Sequence, residues 1–258
     1  MNVPVILSII LCGLMIIIGR RKGLRSFFSL FLNFIVMLFM IVLMTNMEYN
    51  PIILTIIACI LISCINLFFI NEVNQKTVTA FIATMITTGI LLVFIYYITK
   101  MTMVQGFGEE EIDEIVSVYS IYIGVDFLKL ATSVIILSTV AAIVDVAISI
   151  TSPMAEIYKH HPTIKRKDLF SSGVTIGKDI LGSNANTLFF AFIGGYLALL
   201  LWFKDLSYSF GQIVNSKIFA SELMMIFFAG IGIALVVPIA AFINAYYLTK
   251  TKKTANKE

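Results

Sequence analysis

Apolar residues come in long unbroken runs along this chain, and polar residues are confined to short stretches between them. Neither the strict alternation of a half-buried strand nor the one-sided stripe of a soluble amphipathic helix produces such runs. A bilayer core about 30 Å thick needs about 20 consecutive apolar residues in helical form. The pattern accordingly predicts about seven crossings, at residues 3–18, 27–45, 51–70, 78–99, within 118–150, 184–203 and 223–248. Each is expected to be a helix, because unpaired backbone groups in lipid are too costly and the short alternating segments of a barrel are missing from the sequence. The expected fold class is an all-α integral membrane protein, with one transmembrane helical domain over residues 1–258.

Composition agrees: 59% of the 258 residues are hydrophobic and 13% charged, about half the charged fraction of an ordinary soluble domain. Charge placement adds an orientation. Arg20, Arg21, Lys22 and Arg25 follow the first run, Lys76 the third, and Lys159, Lys165, Arg166, Lys167 and Lys178 the fifth, while Lys250, Lys252, Lys253 and Lys257 lie in the tail. The alternate segments hold only Lys100, Lys204 and Lys217, together with the acidic run at 109–114. Basic residues stay on the cytoplasmic side, so the N-terminus is expected outside and the C-terminus in the cytoplasm. Topology thus accounts for the net charge of +3, and nothing supports a nucleic-acid partner. A signal peptide fits the first run poorly, since its positive charges follow the apolar segment.

Cys12, Cys59 and Cys64 fall inside predicted spans and read as small packing residues. The only histidines, His160 and His161, are adjacent in a loop, too few and too close for a metal site. No metal and no cofactor is expected.

The fifth run is too long for one perpendicular crossing, since 118–150 would extend about 50 Å at 1.5 Å per residue. It has to tilt, protrude or break, and Gly124 is a plausible break, with Asp126 and Lys129 just beyond it spaced for a surface ion pair. Asp145 is the unusual residue. A charged Asp at a helix centre costs about 2.5 to 3.5 kcal/mol on insertion scales, so it is expected to face the bundle interior, water or a partner. Ser138, Ala141, Ala142, Ser149 and Ser152 extend its position into a stripe of small and hydroxyl residues, which suits close helix contact or a polar path. Beyond it, residues 152–183 read as a cytoplasmic amphipathic segment. In this segment Ser152 caps a short helix opened by Pro153 and carrying Glu156 in its first turn, and Thr163 caps another. The chain then re-enters the membrane through "GKDILGSNANT", where Asn186 and Thr187 stand just inside the apolar run, placed to meet the Asp145 stripe. Gly194, Gly195, Gly230, Gly232, Pro238 and Asn244 allow later helices to pack closely or bend.

The stretches "VDVAISITSPMAEI", "SSGVTIGKDILGSNANTL" and "GGYLALLL" resemble the YibE/F-like membrane proteins, with the likeness concentrated in residues 120–205. On this resemblance the motif residues are Asp145, Ser149, Glu156, Ser172, Gly173, Gly177, Asp179, Gly182, Asn186 and Thr187. Ala141-Ala142 stands where the family has Gly-Ala, which weakens any claim of a kink there. The chain is similar to the shorter members, and the resemblance implies a hetero-oligomer with a longer paralogous membrane protein in the cell membrane of a Gram-positive bacterium. "IVDVAIS" also resembles, by analogy only, the proton-carrying segment of certain export transporters, with one aspartate of the usual two.

Two functions are therefore expected in competition. The first is a transporter or transporter subunit, proton-coupled through Asp145 with Ser149, Asn186 and Thr187 completing a polar path. The second is a non-transporting scaffold or regulatory subunit of the heteromeric complex, with Asp145 making a structural contact. An enzyme is not expected, since the chain has no HExxH, no paired intramembrane aspartates in a GxGD-type setting and no Ser/His pair inside the membrane.

Overall fold

As one straight rod the first helix, α1 (Val3–Met44), would reach about 63 Å, twice the lipid core, so the chain has to break within it. The computed structural model describes residues 3–44, 46, 48–102, 104 and 126–255, and in it the break falls at Arg20, whose backbone leaves the helical region (φ 48, ψ −128). A Cβ on Gly23 would collide with the carbonyl oxygen of Met15. Those two residues would be about 12 Å apart along a continuous helix, so the chain folds back on itself here. Phe27 and Phe31 of the second limb consequently line one groove with Pro4, Ser8, Cys12 and Ile16 of the first. The expected runs 3–18 and 27–45 occupy these two limbs.

Asn50 caps α2 (Pro51–Cys64) by accepting a hydrogen bond from Ile52 N at 3.1 Å, and Pro51 begins the helix where its missing N–H costs nothing. The helix continues into a wider π turn, Ile65–Phe69. Within that turn Asn66 accepts from Asn33 Nδ2 of α1 at 2.8 Å, a cross-helix bond of the kind that holds membrane helices together where no hydrophobic effect separates helix from lipid. Asn74 and Thr77 start α3 (Gln75–Thr102) reciprocally, each side-chain oxygen accepting from the other's backbone N–H.

Asp126 starts α4 (Phe127–His160) by accepting from Lys129 N, and the two side chains form the expected ion pair at 3.0 Å. Burial alone would raise the Asp126 pKa, but hydrogen bonds from the Lys129 side chain and backbone, with the lysine's charge, outweigh it and hold the carboxyl below its usual range. A carboxylate depressed in the folded state stabilises above its unfolded pKa, and that contribution is lost as pH falls through the folded value. Asp126→Asn, an equally good cap, is expected to leave the neutral melting temperature nearly unchanged and to reduce its fall in acid. Melting curves at neutral and acid pH check this. The acidic run at 109–114 and the Gly124 break lie outside the described residues.

Two expectations for the next segment are corrected. Pro153 does not open a separate surface helix behind a Ser152 cap; it lies inside α4, which continues to His160. Proline removes one N–H from the ladder, but Ile150 and Met154, fully buried on either side of it, keep this turn packed in the bundle. Residues 163–183 likewise form no separate surface element. Residues 166–183 are the first part of one long helix, α5 (Arg166–Gly195), whose cap position, Lys165, makes no side-chain cap bond. The expected span 184–203 is broken: α5 ends at Gly195, and α6 (Leu197–Asp205) departs at 52°. A Ser209/Gln212 capping box opens the short α7 (Phe210–Asn215), and α8 (Lys217–Ala255) carries Pro238 within it.

Among the described residues five helices are long and apolar enough to cross a bilayer, or six if α5 and α6 together make one broken span. This is a helical membrane protein. Its centre is α4, whose buried face (Ile136, Ile143, Ala147, Ile150, Met154) packs with Leu91 and Ile95 of α3 and Ile233, Val236 and Ala240 of α8 in one core. A Cβ on Gly232 of α8 would press on Ile143 Cδ1 at 2.9 Å and Leu91 Cδ1 at 3.1 Å, which shows how closely the three helices meet. Asn244 of α8 links the same helices through polar bonds. It accepts from Thr79 Oγ1 of α3 and donates to the Thr151 carbonyl of α4, both at 3.0 Å. All three residues are buried. Asn244→Leu removes both bonds and is expected to cost about 1 kcal/mol, measured as a lower melting temperature with the oligomeric state unchanged.

Candidate functional site

On α4 the bulky apolar residues fill one side, and the other side carries Ala141, Asp145 and Ser149 at a spacing of four. Of the three settings expected for Asp145, the bundle interior, water or a partner, the first does not hold, because all three residues are exposed. The reason is volume: Ile143, Val144, Ala147 and Ile150 fill the crowded side against α3 and α8, and the stripe is left on the opposite, exposed side. Among the described residues neither Asp145 nor Ser149 has a side-chain hydrogen bond or ion pair, whereas Ser138 donates to the Ile135 carbonyl at 3.0 Å and Ser152 accepts from Lys76 Nζ at 3.2 Å.

The motif residues on α5 divide into two sets. Gly173 and Gly177 face inward and are buried. A Cβ on Gly173 would run into Met154 Sδ of α4 and lie 2.9 Å from Ala241 Cβ of α8, and one on Gly177 would enter the Val237 side chain of α8. A glycine pair four residues apart therefore seats on Val237 and Ala241, themselves four apart, the small-residue arrangement that lets membrane helices approach. The outward set is Asp179, Gly182, Asn186 and Thr187, all exposed. A Cβ on Gly182 would have nothing within 4 Å, and Thr187 Oγ1 donates to the Ser183 carbonyl of its own helix at 2.9 Å. Ser172 similarly donates to the Asp168 carbonyl at 3.0 Å. Glu156, exposed near the end of α4, holds Lys159 at 3.5 Å and His160 at 3.1 Å.

The Met154–Gly173 contact sets the depth at which the two stripes meet. Nine residues back along α4 from Met154 is Asp145, about 14 Å away, and nine residues forward along the antiparallel α5 from Gly173 is Gly182. Counted along the two helices from that contact, Asp145 and Gly182 are the same number of residues away, and Asn186 is four residues further. The structure does not join Asp145 to Asn186 or Thr187 by a hydrogen bond. It leaves a carboxylate, a hydroxyl, an amide and a glycine gap open on the outer sides of two neighbouring membrane helices.

Nothing in the residue spacing singles out one further pair. Tyr196, at the bend between α5 and α6, donates its hydroxyl to Glu222 Oε1 of α8 at 2.5 Å, tying the broken helix to the bundle. Glu222 stands one residue before the expected last run and Tyr196 is one aromatic among many, so only the three-dimensional contact reveals the pair. Among the described residues no three His, Cys, Asp or Glu side chains gather into a group able to hold a metal.

The family model described as YibE/F-like protein matches residues 7–250, so the likeness extends well beyond residues 120–205. No curated protein and no solved structure matches the chain.

Proposed function

This chain belongs to the YibE/F-like family, and we propose that it is one subunit of a proton-coupled transport assembly, completed by a longer paralogous membrane protein. The observation that carries this reading is the exposure of Asp145 on a membrane helix, with no side-chain partner among the described residues. Leaving that aspartate against lipid costs about 2.5 to 3.5 kcal/mol, a cost removed when a second membrane chain covers the α4 and α5 faces. Asp145 then carries the proton, and Ser149, Asn186 and Thr187 provide the polar groups beside it. Gly182, as many residues from the Met154–Gly173 contact as Asp145, leaves room for a helix of the partner. The chain supplies no enzymatic step in this assembly.

In this reading the protein crosses the plasma membrane of a Gram-positive bacterium seven times, the two limbs of α1 counting separately because of the break at Arg20. Its N-terminus is outside and its C-terminus cytoplasmic, supported by the clustering of Lys and Arg at one end of the helices.

A second reading, a scaffold subunit in which Asp145 only anchors the partner, draws on the lack of any titratable group within hydrogen-bond reach of Asp145 among the described residues. Co-purification of the paralogue with Asp145 variants tests the shared premise. Asp145→Leu is expected to lose most of the paralogue and Asp145→Asn to retain it; full retention by the leucine variant would show that this face is not the interface.

A further inference from the structure

The start of α3 and the last turns of α4 and α8 border an open cavity of about 750 Å³, lined by Asn74, Lys76, Ser152, Tyr158 and Lys159 with Leu248 as an apolar wall. We propose that this cavity binds a phosphate group, supplied by the headgroup of an anionic phospholipid from the surrounding leaflet. The site is separate from the Asp145 face and does not depend on the transport reading.

Lys76 is the key cation of the lining. Its side chain is half-buried, and its Nζ donates to Ser152 Oγ at 3.2 Å. Among the described residues it has no carboxylate within 4 Å. An ammonium has three donors and Ser152 Oγ takes one, so Lys76 has capacity for an anion that no carboxylate among the described residues fills. Lys159 lines the same cavity. Its one carboxylate partner, Glu156, also lines the cavity but is shared between Lys159 at 3.5 Å and His160 at 3.1 Å. A single carboxylate serving two bases leaves the cavity with an excess of positive charge. The first turn of α3 adds the positive end of a helix dipole beside Lys76, and the Tyr158 side chain offers a neutral polar group.

The position of the cavity favours a lipid as the source. It opens at the end of the bundle that also carries Arg166 and Lys250, which lie over the Tyr246 ring at 4.7 Å and 5.6 Å. Basic pockets between membrane helices at that level take anionic headgroups. The wall formed by Pro153, Ala155 and Leu248 provides apolar surface for the glycerol and first acyl carbons next to the phosphate.

The test uses the full chain purified in detergent, with phosphatidylglycerol, zwitterionic phosphatidylcholine and soluble glycerol 3-phosphate added separately. Phosphatidylglycerol is expected to raise the melting temperature and phosphatidylcholine to leave it unchanged. Lys76→Gln is expected to bind phosphatidylglycerol about five- to tenfold more weakly, while Lys165→Gln, at the same end but outside the cavity, binds as the parent does. Lys159→Gln provides a second reading should Lys76→Gln melt abnormally without lipid. A shift with glycerol 3-phosphate that Lys76→Gln abolishes, with none from phosphatidylglycerol, would overturn the lipid source while supporting the phosphate chemistry. No shift with either probe, or equal shifts in both cavity variants, would overturn the site itself.

Discussion

Gly177→Leu is expected to leave almost no folded protein extractable from the membrane, whereas Gly182→Leu, five residues along the same helix, should leave the isolated chain as stable as its parent. The difference lies in what each position touches. A Cβ at Gly177 enters the branched side chain of Val237, while one at Gly182 meets nothing within 4 Å. Inserting one methylene into a packed interior commonly costs about 1–3 kcal/mol, and a leucine adds four carbons where the two helix backbones are already as close as glycine permits. With no hydrophobic drive between helices in lipid, close packing is most of what holds α5 to α8. Fluorescence-detected size-exclusion of the two variants checks this: a collapsed monodisperse peak for Gly177→Leu and a normal one for Gly182→Leu. If Gly182 instead faces the partner, its leucine variant should be stable yet fail to retain the paralogue, separating fold from assembly on a single helix.

Asp145→Asn carries the second large effect. Asparagine keeps the size and the hydrogen-bonding capacity of the aspartate but cannot take up and release a proton. If Asp145 is the carrier, proton movement through the assembly should fall by about a hundredfold or more, the usual scale for losing a positioned proton-transfer group, with abundance and partner retention unchanged. Asp145→Glu should retain part of the activity. In the scaffold reading Asp145→Asn is silent, so the two readings give opposite results for one substitution.

How much of this was legible in the sequence varies with the kind of residue. The long Ile, Leu and Phe runs identify a helical membrane protein because lipid demands them whatever the topology. Asp126 with Lys129 was readable because cap and i,i+3 pairing are local. The fate of Pro153 was not: its local chemistry favours a helix start, and only the buried neighbours Ile150 and Met154 show why the helix passes through it. The direction of the Asp145 stripe was also hidden. A small-residue face suits the interior of a bundle and a contact between chains equally well, and the choice depends on which side of α4 the bulkier residues crowd. Gly173 and Gly177 were marked by resemblance, yet their role came only from Val237 and Ala241 opposite them, sixty or more residues away in the chain. The Asn244 bonds to Thr79 and Thr151 are equally long-range.

In the proposed assembly the outward Asp145 face becomes a proton path once a second chain covers it. Proton flux into proteoliposomes, followed with an internal pH-sensitive dye under an imposed membrane potential, tests it most directly. The account predicts flux from the chain reconstituted with its longer paralogue, and background rates from the chain alone and from the Asp145→Asn complex. Undiminished flux in the Asp145→Asn complex, equal flux from the chain alone, or a parent complex no faster than empty liposomes would contradict it.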